Sequence, residues 1–61
     1  MSRFALITSD GEALGPVAFA RGDWQAGDTI PQGKGRILRV TAVVAPERDG
    51  DLPLLVVERL G

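Results

Sequence analysis

"SRFALITSDGEALGPVAFA", residues 2–20, is the stretch whose reading decides the fold. Asp10-Gly11 stands between two short apolar runs. That dipeptide favours a two-residue hairpin, because a type I′ turn requires positive φ at both central residues. With the hairpin centred there, Phe4 faces Val17, Ala5 faces Pro16 and Leu6 faces Gly15. Side chains alternate along a strand, so Phe4, Leu6, Val17 and Phe19 share one face, which is assigned to the core. Arg3, Ala5, Ile7, Leu14, Pro16 and Ala18 fall on the other. Pro16 has no amide proton, which places its strand at a sheet edge or beside a bulge.

A second unit, "GRILRVTAVVAPERDGDLPLLVVERLG", occupies residues 35–61. Asp49-Gly50 plays the same part, either as a two-residue turn or inside a four-residue loop of equal parity. Leu38, Val40, Ala42, Val44, Leu55 and Val57 then share one face, with Arg59 at its end. Thr41 faces Glu58 and Arg39 lies diagonal to it, an exposed pair of ordinary type. Pro46 and Pro53 lie opposite each other and limit pairing near the turn. The other face carries Ile37, Val43, Ala45, Leu54, Val56 and Leu60 besides Arg39, Thr41 and Glu58. Those apolar residues are either covered as a small barrel wraps its last strands or form an interface, the usual meaning of a contiguous apolar patch.

Between the units runs "RGDWQAGDTIPQGKG", residues 21–35. Trp24 is expected to cover one open end of the core, with a surface binding role as the alternative. Gly27-Asp28-Thr29-Ile30 reads as a turn entering a short strand. Five strands result, over residues 2–8, 13–19, 28–31, 36–45 and 53–60, with room for no helix beyond one turn near 20–25. The expected fold is a single all-β domain over residues 1–61: a small five-stranded SH3-like open barrel built from two β-hairpins and a loop-rich middle. "GDTI" followed by Gly and "RILRVTAVV" is similar to the strand pattern of KOW-type and other SH3-like domains. The resemblance spans residues 27–45, implies the fold alone and transfers no functional residue. An OB-like barrel, which normally needs a longer chain, is the second choice.

Composition narrows the chemistry. A chain of 61 residues buries only about 60% of its unfolded surface, and small domains usually add a disulfide, a metal or a partner subunit. This one contains neither Cys nor His, so disulfides and the commonest metal ligand are excluded. Tight packing or homo-oligomerisation remains. The net charge is −1, from seven basic and eight acidic residues spread along the chain, without the basic excess usual in nucleic-acid binders. Six of the seven basic residues are Arg, and Ala, Gly and Val are common, a bias typical of high-GC bacterial genomes. Phe4–Ile7 is too short for a signal-peptide core of about 7–15 residues. No window reaches the ~18 apolar residues of a membrane helix. A cytoplasmic protein without a membrane partner is expected.

"IPQGKGR", residues 30–36, carries the most chemistry-like pattern. It is not a phosphate loop: five residues separate Gly27 from Gly33 where four are needed, and Gly35 stands where Ser or Thr would hold magnesium. The β-branched run after it is not the helix that loop requires. Lipoyl and biotinyl carriers present a lysine at a hairpin tip, but flanked by Asp or Met and not by two glycines. "RGD" at 21–23 matches an adhesion tripeptide by chance. Asp10, Asp49 and Asp51 are accounted for as turn formers, and Asp23 and Asp28 as turn or capping groups. No enzyme, cofactor or metal site is expected. The expected function is a binding or assembly module, pairing with itself or another protein through Ile37, Val43, Leu54, Val56 and Leu60. The alternative is a nucleic-acid-binding barrel using Arg21, Lys34, Arg36 and Arg39.

Overall fold

The computed structural model describes residues 1–60. Five strands, β1 (Ser2–Thr8), β2 (Ala13–Phe19), β3 (Thr29–Pro31), β4 (Ile37–Val44) and β5 (Leu54–Arg59), form one mixed sheet in the order β2-β1-β5-β4-β3. The sheet curls strongly into a half-barrel of SH3-like type, and no helix occurs among the described residues. Both expected hairpins form, and a parallel β1–β5 pairing joins them: Ala5 lies beside Leu54, Leu6 beside Leu55, Ile7 beside Val56 and Thr8 beside Val57.

The first hairpin keeps the expected pairs Phe4–Val17, Ala5–Pro16 and Leu6–Gly15 but reaches them differently. Its turn is not type I′. Gly11 N–H donates to Thr8 O at 2.9 Å and Thr8 N–H to Glu12 O at 2.9 Å, which leaves a three-residue loop. Gly11 alone is left-handed there, with φ 96°, the arrangement of a type I turn followed by a one-residue bulge. Thr8 is the cause. Its buried hydroxyl accepts from Glu12 N–H at 2.9 Å and donates to the Asp10 carboxylate. Leu14 is then an extra residue on β2, because Ile7 pairs with Ala13 while Leu6 still pairs with Gly15. The turn and the bulge shift the register in opposite senses and cancel. The bulge also turns Leu14 onto the core and off the outer face where simple alternation put it.

The second hairpin departs further. Its strands stop at Val44 and resume at Leu54, so Pro46 and Pro53 both lie in a loop longer than the two or four residues expected. Within that loop Asp51 N–H donates to Arg48 O at 3.2 Å around Asp49-Gly50, with only Gly50 left-handed. A bulge at Thr41 moves the pairing again, so Arg39, not Thr41, faces Glu58. The net shift is two residues below the bulge, which keeps Leu38, Val40, Leu55 and Val57 on the core face. Beyond it the parity reverses: Ala42 faces Val56 and Val44 faces Leu54, while Val43 falls opposite Leu55.

The core is Phe4, Leu6, Ile30, Leu38, Val40, Leu55 and Val57, with Leu55 and Val57 at 0% exposure on the central strand. Trp24 does cover the core's edge, as expected. Its ring meets Phe19 at 4.9 Å, and Phe19 meets Phe4 at 6.0 Å. Arg21 stacks over the outer side of Trp24 at 4.0 Å. Trp24 Nε1 is buried without a hydrogen-bond partner, so this lid is held by area and ring contact.

Leu55→Ala is expected to cost about 3 kcal/mol, much of the roughly 3–9 kcal/mol available to a domain of this length; urea denaturation measures it. The Thr8 hydroxyl, followed by backbone N–H groups, holds the Asp10 carboxyl below its usual pKa. A lowered pKa stabilises the fold above the ordinary Asp value of about 3.9 and loses that contribution as pH falls below it. Thr8→Val should raise the Asp10 pKa, which an NMR titration of its side-chain carboxyl reads directly.

Candidate functional site

The sheet has a second apolar surface, facing away from the core. Residues paired across neighbouring strands share a face, so the registers align Pro16, Ala5, Leu54 and Val44 in one row over four strands. The adjacent row holds Ile7, Val56 and Ala42. Ala5, Ile7, Ala42, Leu54 and Val56 are half-buried, while Pro16 and Val44 are exposed. Strands β1 to β5 belong to one sheet, so no second layer of strand or helix of the described chain packs over this band. The β4–β5 loop flanks one end of it, where Ala45, Pro46, Glu47, Asp51 and Leu52 form a cleft of about 420 Å³ with Ala5, Val44 and Leu54.

Of the five residues expected at an interface, Leu54 and Val56 occupy the band's centre. Ile37 and Leu60 are exposed on the far side of the Arg39–Glu58 pair and sit together, Leu60 N–H donating to Ile37 O at 2.9 Å. Val43 is also exposed, but the Thr41 bulge puts it in register with Leu55 of the core face. Ala5 and Ile7 were missed by sequence reasoning. Nothing local reveals that the first strand would lie beside the last.

Two of the four basic residues of the alternative are held by carboxylates. Arg39 donates through Nε to Glu58 Oε1 at 2.7 Å, and Nη2 reaches the same oxygen. Arg21 is held by Asp28 at 2.6 Å and Asp23 at 3.1 Å beside Trp24. Lys34 and Arg36 both belong to the β3–β4 turn. There Arg36 N–H donates to Gly33 O at 3.0 Å, with both central residues, Lys34 (φ 55°) and Gly35 (φ 76°), left-handed. This is the type I′ geometry first expected at Asp10-Gly11. "IPQGKGR" is therefore a corner, and its glycines serve backbone geometry.

Behind that corner lies a cleft of about 540 Å³, lined by Leu14, Gln32, Arg36, Ile37, Leu38 and Arg59. It opens at the seam between the β2 side and the β3–β4 side of the half-barrel. Arg59 joins Arg36 there and is bonded to Glu12 at 3.1 Å. Among the described residues no group of three or more acidic side chains is placed to hold a metal ion, and no helix is long and apolar enough to cross a membrane.

A left-handed conformation costs a side-chain-bearing residue about 1–2 kcal/mol, and Gly loses part of that gain to its greater backbone entropy. Lys34→Gly should therefore stabilise the protein by about 0.5–1 kcal/mol, or roughly 2–8 °C in Tm; thermal unfolding by circular dichroism tests it. No protein-family model, curated protein or solved structure matches the chain.

Proposed function

We propose that this chain is a small, non-enzymatic assembly module of the cytoplasm that pairs with a second copy of itself through the outer face of its sheet. The observation that carries this reading is the band Pro16-Ala5-Leu54-Val44 with Ile7-Val56-Ala42, continuous across four strands and covered by no second layer of strand or helix of the described chain. Domains normally bury a sheet on both apolar faces by adding a second layer, and this chain supplies one layer only. A second copy offers the same surface, and a twofold contact requires no more than a patch complementary to itself. The absence of Cys and His leaves tight packing and association as the ways to reinforce so small a core. The nucleic-acid reading has less support, because carboxylates already engage two of its four basic side chains.

Sedimentation equilibrium at micromolar concentration should give a dimer mass. Val56→Glu should give a folded monomer, since its half-buried side chain lies on the outer face. A wild-type monomer throughout the range, with Val56→Glu equally soluble and stable, would remove the basis of the proposal.

A further inference from the structure

We infer that the cleft at the open seam is a second, separate binding site, and that its occupant is the β4–β5 loop of another copy of this chain. The cleft joins an apolar floor to two cations. Leu38 is buried there and Leu14 half-buried. Arg36 has no ion-pair partner among the described residues. Arg59 has only Glu12, with both side chains more than half exposed, and such pairs hold together by about 0–1 kcal/mol. Both guanidiniums are therefore available. The fork of an arginine favours a carboxylate over other acceptors, so the site calls for a segment carrying acidic groups next to an apolar side chain.

Residues 45–53 of this chain provide that chemistry. Glu47, Asp49 and Asp51 outnumber Arg48, and every residue of 45–52 is exposed. The bond from Asp51 N–H to Arg48 O, at 3.2 Å, folds the segment so that Asp49 and Gly50 form its tip. Leu52 follows directly and is 37% exposed, an apolar side chain beside two carboxylates. The loop cannot fill its own cleft. Cleft and loop lie at opposite ends of β4, whose eight residues span about 26 Å at 3.3 Å each. The occupant is thus a neighbouring copy. Each chain gives a loop to one neighbour and a cleft to another, a head-to-tail contact that builds rings or filaments. It uses none of the residues of the outer band around Leu54 and Val56.

The test uses the Val56→Glu variant, so that outer-face pairing does not enter the result. A fluorescein-labelled peptide of residues 46–53, PERDGDLP, is titrated with this protein at low salt and followed by anisotropy. Saturable binding is expected, weakening as salt is added and falling about tenfold or more when Arg36→Glu is introduced. In full-length protein on the same background, concentrated well above the micromolar range so that Val56→Glu alone associates through the weaker loop–cleft contact, Arg36→Glu and the double change Asp49→Arg with Asp51→Arg should each be monomeric. Mixed together they should form a one-to-one pair, because one keeps an intact loop and the other an intact cleft. Absence of saturable peptide binding overturns the inference, as does a mixture that stays monomeric. Equal binding of a scrambled peptide of the same composition overturns the assignment of this loop as occupant.

Discussion

Everything in this molecule depends on the parallel pairing of the first strand with the last. Each hairpin alone is a two- or three-stranded piece with one apolar face, too small to be stable in water by itself. Setting Ala5–Thr8 beside Leu54–Val57 turns two pieces into one sheet. It also makes β5 the central strand, where Leu55 and Val57 lose all contact with solvent. Phe4 and Leu6 of one hairpin then share a core with Leu38 and Val40 of the other. Parallel pairing cannot be made by a tight turn. The rest of the chain acts as the connection, and its turns must bring the two ends together.

The same pairing creates the candidate site. Alternation along β1 and β5 sends Leu6, Leu55 and Val57 inward, and sends Ala5, Ile7, Leu54 and Val56 outward. Side by side they form an apolar surface that neither strand shows alone. The first strand therefore serves the core and the outer face equally. A polar residue at Ile7 would reduce the outer surface while leaving the core pairs intact.

The legible parts of the fold were those governed by local chemistry. Period-two alternation and the Asp-Gly dipeptides located both hairpins, and Pro16 correctly marked an edge strand. Core residues were legible because the errors in register came in compensating steps. Thr8 lengthened the first turn and Leu14 absorbed the extra residue. The Thr41 bulge completed a shift of two, which returns each side chain below it to its own face. Bulges depend on packing between strands and leave no mark in a single sequence. That is why Val43 was assigned to the face with Leu54, and why Arg39 and Thr41 exchanged places opposite Glu58. Of the outer band, only Leu54 and Val56 were legible in the last hairpin, because Ala42 and Val44 read as core-face residues until the Thr41 bulge reversed them. The part from β1 was not, because its neighbour comes from the other end of the chain.

The Arg39–Glu58 pair has a consequence beyond its small contribution to stability. As an exposed pair it is worth about 0–1 kcal/mol, yet it stands on the outer face between two apolar groups, Leu54 with Val56 and Ile37 with Leu60. Without it the whole length of β4 and β5 would present continuous apolar surface to solvent, and any sheet could slide along it. With it, a docking sheet must either stop at the pair or desolvate it, and desolvating a bonded charge pair is costly. The pair thus fixes where an apolar contact ends. In the proposed pairing it would limit association to the part of the face that β1 also lines, where four strands contribute.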